Sequence, residues 1–272
     1  MGWRSHRAAR PWAIAGSLIG DGSSALGFWN GSFEAEPICF SSAASFTAAA
    51  VLLPLGALAI RQTHRRRRPE LLPLALMPVL FGLQQAIEGL VWLALEADWT
   101  QAGLRPLALA YLFFAFFLWP SWLPLVALTL SRGRLRPWRL NLVRALTLGG
   151  VLLGLALWLP LLLEPARLSI AVQGHSMVYN ARLLLSGDAG NFGRALYLLL
   201  VLLPLLLLPS PRLWLFSFGL LAAGLLAEGV AHHAFTSVWC YLSALLSGWI
   251  LWLVSSEPAM PRTSGQPAGR PA

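Results

Sequence analysis

The sequence predicts an all-α polytopic transmembrane bundle of about seven spans. Three observations predict it. The 272 residues are 57% hydrophobic and only 11% charged. The apolar residues form long unbroken runs rather than the spaced stripes of a water-soluble helix. The basic residues, all of them arginine, collect between those runs, as in cytoplasmic loops held back by the positive-inside rule. The net charge of +9 is therefore placed for a membrane rather than for nucleic acid, because no separate basic soluble domain exists to carry a nucleic-acid interface.

A hydrocarbon core of about 30 Å takes roughly 20 apolar residues in helix. Segments of about that length read as spans over 42–60, 71–95, 107–130, 145–163, 195–211, 213–234 and 237–254. The fifth is the shortest and contains Pro204. Only Pro209 to Arg212 separate it from the sixth, so a re-entrant hairpin is the alternative to two full passes. Orientation follows from the loops. Arg61 and Arg65 to Arg68 follow the first span, and Arg132, Arg134, Arg136, Arg139 and Arg144 follow the third, which puts both connections in the cytoplasm. The connection from Glu96 to Arg105 and the long 164–194 loop are poorer in arginine and face outward. The prediction is a multi-pass protein of the cell (inner) membrane, amino terminus outside and carboxyl terminus cytoplasmic.

The ends and the long loop complete the organisation. Residues 1–37 combine Arg4, Arg7 and Arg10 with a weak apolar stretch from Trp12 to Gly20, and read as a disordered extension or a poor signal-like segment. Residues 38–254 form the membrane domain. Residues 255–272 are rich in Pro, Gly and Ser and read as a disordered cytoplasmic tail. In the 164–194 loop, Leu168 to Val172, Gln173-Gly174 and Ser176 to Tyr179 have the pattern of a small β-hairpin. Such a hairpin is stable only when packed on the bundle.

Ionisable groups inside spans are costly, on the order of 2.5–3.5 kcal/mol at a helix centre on insertion scales, so each needs a partner or a wet cavity. Glu88, Glu228 and His232 are the principal cases, with His233 beside them. Gln84 and Glu88 are four apart on the second span, so they share a face, with Gln85 alongside and Trp92 one turn further out. Glu228 and His232 are four apart on the sixth. Ser45 lies near the outer end of the first. An outward-facing polar pocket lined by Ser45, Gln84, Gln85, Glu88, Glu228 and His232 follows, suited to binding, conducting or sensing a small solute or a proton. The competing reading of Glu88 is a hydrogen-bonded carboxyl that fixes helix packing through Gln84 and Gln85.

Cys39 and Cys240 are the chain's two cysteines, both expected at outer ends of spans. A Cys39–Cys240 disulfide is permitted there, and two buried apolar thiols are the alternative. Cys39, His175, His232 and Cys240, with Glu88 and Glu228, have the ligand chemistry of a zinc site. No CxxC, HxxxH or HExxH spacing supports that site, and no cofactor is otherwise expected. A membrane-embedded metal-dependent hydrolase is the second functional class and a structural, partner-binding subunit the third. No nucleotide-binding, hydrolase or kinase motif is present, so an enzyme is the less favoured class. The lipid bilayer is the one partner the sequence specifies; the small ligand's identity and the oligomeric state are not legible.

Three segments carry a resemblance: Cys39-Phe40-Ser41-x-x-Ala44-Ser45-Phe46, Phe81-Gly82-Leu83-Gln84-Gln85-x-x-Glu88-Gly89-x-x-Trp92, and Trp239-Cys240. With them the chain resembles a family of bacterial multi-pass membrane proteins with no assigned function, over roughly residues 38–254. Its members typically begin near the Cys-Phe-Ser segment, and the first 37 residues here depart from that pattern. The resemblance implies topology and site candidates, but no activity.

Overall fold

A computed structural model describes residues 41–131, 135–173, 176–183, 188–231 and 234–256. The segments expected to be disordered, 1–37 and nearly all of 255–272, lie outside these residues. Among them the chain is almost wholly helical: α1 (Ser42–Arg65), α2 (Pro69–Glu96), α3 (Gln101–Leu130), α4 (Pro137–Leu163), α5 (Asp188–Leu206), α6 (Pro211–Ala231) and α7 (Phe235–Ser256). Between α4 and α5 lie two antiparallel strands, β1 (Leu168–Gln173) and β2 (Ser176–Ala181). Six of the helices are long and apolar enough to cross a membrane, and α5 carries a shorter apolar stretch, Phe192–Leu206. The protein is a multi-pass, helical membrane protein.

Most helices extend beyond the apolar run that predicts them. α1 continues past residue 60 through Arg61 to Arg65, and α4 begins at Pro137, eight residues before its run. Hydropathy marks the part that lies in lipid, whereas the backbone hydrogen-bond ladder continues into the interface until a cap stops it. Ser41 caps α1 by accepting from the Ala44 N–H at 3.2 Å, and Thr100 caps α3 by accepting from the Gly103 N–H at 3.3 Å. Arg67 and Asp98 adopt positive φ (54° and 55°), closing α1 and α2 in left-handed turns.

Close backbone approach organises the packing. A Cβ at Gly56 would sit 2.4 Å from Val79 Cγ2, one at Gly82 3.0 Å from Leu53, and one at Gly89 2.8 Å from the Phe46 ring. The absence of side chains at these positions lets α1 and α2 run in contact along most of their length, as small residues do between membrane helices. α3 and α4 meet by a different route. Pro124 has no N–H to give to the Pro120 carbonyl, and Gly150 lies against that oxygen, 2.0 Å from where its Cβ would be. Just before Pro120, α3 widens into a π-helical turn, Phe113–Leu118. The Ala115 carbonyl of that turn accepts from the Tyr197 hydroxyl of α5 at 2.5 Å.

Side chains facing away from the core are as apolar as those inside it. On α4, Leu148 is 62% exposed and Leu152 58%. A helix that is hydrophobic all round is expected where lipid replaces water.

Cross-links fix which helix ends lie together. Ser42 Oγ donates to Glu96 at 3.1 Å, joining the start of α1 to the end of α2. Arg105, in the first turns of α3, donates to the Leu161 and Leu162 carbonyls at 3.0 and 2.8 Å and so caps α4. Arg212, at the start of α6, donates to the Ser256 carbonyl at 3.2 Å and lies over the Trp252 ring.

Candidate functional site

Glu88 lies eight residues before the end of α2, about 12 Å at 1.5 Å per residue, and is 1% exposed. Both carboxyl oxygens are engaged. Gln85 Nε2, one turn back on the same helix, donates to Oε2 at 3.1 Å, and the Ser237 hydroxyl of α7 donates to Oε1 in a very short hydrogen bond. No cationic side chain pairs with this carboxyl among the described residues; the ion pairs found there, Arg68–Glu70 and Arg167–Glu164, lie elsewhere.

Four aromatic side chains and a second amide surround it. Gln84 Oε1 accepts from the Trp119 indole of α3 at 2.8 Å, and Trp119 stacks on Phe81 at 3.8 Å between ring centres. Tyr111 of α3 is fully buried, with its hydroxyl beside the Glu88 carboxyl and the Cys240 thiol but outside hydrogen-bond geometry with either. Tyr179 of β2 stacks on Tyr111 at 4.8 Å and 9°. Burial, with Glu88 and then Cys240 nearby, pushes the Tyr179 phenol well above its usual range, so it is neutral at all ordinary pH values.

The unsatisfied atoms are the distinctive feature of this cluster. Gln84 Nε2, Gln85 Oε1, Trp92 Nε1 and the Tyr111 and Tyr179 hydroxyls are buried with no hydrogen-bond partner among the described residues. Buried polar groups are nearly always paired, with protein or ordered water. Here several unpaired ones gather around one carboxyl. A small cavity of about 20 Å³, bounded in part by Trp119, Cys240, Phe81 and Ser243, adjoins the cluster and has room for one water.

The hairpin covers this end of the bundle. Its strands pair from Leu168↔Ala181 to Gln173↔Ser176, and Leu168, Ile170, Met177 and Val178 are buried. The Gln101 side chain, at the start of α3, holds β1 from both sides of one residue. Its Nε2 donates to the Ile170 carbonyl at 2.9 Å, and its Oε1 accepts from the Ile170 N–H at 3.0 Å. A two-stranded ribbon too small to be stable alone is thereby docked on the helices.

The sequence-derived candidates divide. Gln84, Gln85 and Glu88 form the centre of the cluster, and the buried Cys240 sulfur joins it. Ser45 is buried on α1. Glu228 is exposed on α6 and does not enter the buried cluster. His232, His175 and Cys39 lie outside the described residues, and with them the expected Cys39–Cys240 bond and most of the expected zinc ligands. Among the described residues no three His, Cys, Asp or Glu side chains come together. Sequence reasoning missed Ser237, Tyr111, Tyr179 and Trp119. Ser237 had one readable signal, lying three residues before Cys240 and hence on the same helix face. Tyr179 had none, because only folding the hairpin back brings it to α3.

The three segments that carry the family resemblance meet in this region: Phe46 packs on Gly89, and Cys240 adjoins Gln84. No curated protein and no solved structure matches the chain. The chain belongs to a family of unknown function (DUF6629), which it matches over residues 38–264, a stretch that takes in every described helix.

Proposed function

We propose that the protein handles a proton or a small hydrogen-bonding solute through a hairpin-capped polar pocket centred on Glu88 and open to the outer face. The observation that carries this reading is the group of buried, unpartnered donors and acceptors around a carboxyl with no counter-charge among the described residues. A carboxyl kept only for packing needs its own two partners, Gln85 and Ser237, but not unpaired hydroxyls and amides beside it, each costing about 1–3 kcal/mol if left dry. An occupant that supplies the missing partners removes that cost. An intramembrane ionisable residue is by default a functional group with a partner, and an adjoining cavity the size of a water suits a proton carrier or a very small solute.

The proposed topology has seven passes, with α5 as the fifth. The arginines at the end of α1, the start of α4 and the start of α6 support a cytoplasmic assignment for that end, and Glu96, Asp98 and Glu164 near the hairpin support the outside for the other. The lipid-facing leucines support the bilayer as the surrounding medium.

The test compares the native protein with Glu88→Gln in detergent. Infrared difference spectra between pH 5 and pH 8 read carboxyl protonation, and a thermal-shift panel of small amines, amides and alcohols reads solute binding. A carboxyl band or a ligand-dependent rise in Tm that is present in the native chain and absent from a folded Glu88→Gln variant is the expected result. Neither signal in a native chain that melts like the variant leaves Glu88 a packing device and defeats the proposal.

A further inference from the structure

We propose that Tyr197 of α5 is a positioning residue for the Glu88 pocket, its hydroxyl holding the π-helical turn that keeps Tyr111 and Trp119 on one face of α3. The inference rests on the pocket proposed above and adds the device that shapes it. Gln84 and Glu88, on one face of α2, are met by two residues of α3. Trp119 donates to Gln84 Oε1 at 2.8 Å, and the Tyr111 hydroxyl lies beside the Glu88 carboxyl. Trp119 follows Tyr111 by eight positions, and in a regular α-helix of 3.6 residues per turn the two would point about 80° apart. The turn Phe113–Leu118 lies between them and bonds each N–H five residues back, as when Trp119 N–H donates to the Phe114 carbonyl. One extra residue is thereby absorbed. The rotation from Tyr111 to Trp119 becomes that of a seven-residue repeat, about 20° from alignment.

The turn cannot satisfy its own backbone. The Ala115 carbonyl would accept from the N–H of residue 119 in an α-helix and from that of residue 120 in a π-helix. Trp119 N–H is engaged with Phe114, and residue 120 is a proline without an N–H. A carbonyl left without a donor inside a membrane bundle is costly, and the Tyr197 hydroxyl supplies the donor at 2.5 Å. A second carbonyl of α3 shows how this differs from an ordinary cross-helix contact. Leu109 also accepts from a neighbouring helix, from the Trp158 indole at 3.0 Å, but keeps its helical donor, the Phe113 N–H. Trp158 therefore adds to a satisfied carbonyl, whereas Tyr197 completes an orphaned one. Without the Tyr197 hydroxyl, each N–H of the turn gains by moving to the carbonyl four residues back. That change returns the turn to α-helix and swings Trp119 away from Gln84.

The experiment reads the Trp119 indole N–H by nuclear magnetic resonance in the full-length protein, purified in detergent with isotope-labelled tryptophan, and Trp119→Phe assigns its signal. Tyr197→Phe keeps the ring that packs edge-on against Trp239 and removes only the hydroxyl. It should shift the signal upfield to the position of an indole without an acceptor, whereas Trp158→Phe should leave it in place. Deleting Ala115 makes the bond from Trp119 N–H to the Phe114 carbonyl an ordinary α-helical one. The deletion should keep the native signal and make it indifferent to Tyr197→Phe, even where Tyr197→Phe alone does not fold. An unchanged signal in Tyr197→Phe overturns the proposal, as does an equal shift in Trp158→Phe. Loss of the signal or of the fold in the deletion chain, with or without Tyr197→Phe, overturns it too. The infrared carboxyl band of Glu88 is the second readout: its pH midpoint should move in Tyr197→Phe but not in Trp158→Phe. A shifted indole beside an unmoved midpoint would leave Tyr197 a packing residue and overturn its positioning role. A native chain without that band is the failure of the Glu88 reading instead, and the indole signal still decides whether Tyr197 holds the turn.

Discussion

The two ends of the bundle bury opposite kinds of group. At the hairpin end, a carboxyl, two carboxamides, a tyrosine and a thiol are enclosed, and the half-buried Tyr179 of β2 stacks on that tyrosine. At the arginine-rich end a crevice is lined by six leucines with Pro209 and Ser210, and Arg212, next to the lining residue Leu213, bonds the Ser256 carbonyl. The two ends therefore differ in the kind of group they enclose. The first interior is lined by groups that can hydrogen-bond, whereas the second is lined mainly by leucine side chains. Helix packing allows both because α1 with α2, and α3 with α4, are locked by glycine contacts along the middle of the bundle. The ends can then diverge in chemistry without loosening the core.

The largest effect should come from removing the acceptor at the polar end. Glu88→Leu leaves the Ser237 hydroxyl and the Gln85 amide without their partner, and should cost about 3 kcal/mol, two buried donors at 1–3 kcal/mol each less the gain in apolar burial. Glu88→Gln, which keeps an oxygen for one of them, should cost about 1 kcal/mol. Thermal melting in detergent measures both. A Glu88→Leu protein more stable than the native one would make the hairpin end a packing region like its opposite.

A smaller and localised effect is expected at the cap. Gln101→Ala removes both hydrogen bonds to Ile170, worth about 1 kcal/mol each, while leaving the helix ladder intact. Amide exchange should accelerate across β1 and β2, at the Ile170 N–H above all, and trypsin should cut faster after Arg167 and Arg182. The midpoint for unfolding of the helices should move little. Exchange that accelerates equally in α1 and α2 would mean that the hairpin is part of the core rather than a cover on it.

The Tyr179 hydroxyl supplies a pH prediction. A phenol whose folded-state value lies above its unfolded one holds its proton longer in the native protein, so its contribution is present below about pH 10 and is lost as pH rises beyond it. Stability should therefore fall above pH 10, and Tyr179→Phe should flatten that fall. Stability profiles of the two proteins measured from pH 8 to pH 11 check it, and parallel profiles would show that the phenol titrates normally.

The smallest effect is that of the same substitution at neutral pH. Because the Tyr179 hydroxyl has no partner among the described residues, Tyr179→Phe should leave the unliganded protein within about 0.5 kcal/mol, or slightly stabilise it. A cost above about 1.5 kcal/mol in a melting experiment would reveal a hydrogen bond that the protein already makes, and would remove one of the unpaired atoms on which the pocket rests.

Much of the fold was legible because lipid imposes a simple demand. Every helix from α1 to α7 overlaps an apolar run of the sequence, since only a run of about 20 such residues pays for the hydrocarbon core. Helix ends were less legible: caps such as Ser41 and Thr100, and left-handed turns at Arg67 and Asp98, decide them, and hydropathy does not register those devices. Gln84, Gln85 and Glu88 could be read as one group from spacing alone because they lie on one helix. Glu228 shows the limit of that reasoning, since its spacing from His232 gave no information about which way its face of α6 turns, and it is exposed.

What the sequence determined by itself is therefore the class of molecule, the helices that make it and the local group around Glu88, all consequences of periodicity and of the bilayer's length scale. Only the tertiary structure decided which residues from distant segments complete that group. Ser237 lies 149 residues from Glu88, and Tyr179 reaches Tyr111 only because Gln101 docks a hairpin that no local pattern attaches to α3. The physical reason is that hydropathy and helical spacing act within one segment, whereas the choice of neighbour depends on shape, on where a glycine lets two backbones touch and on which buried polar atoms must find one another.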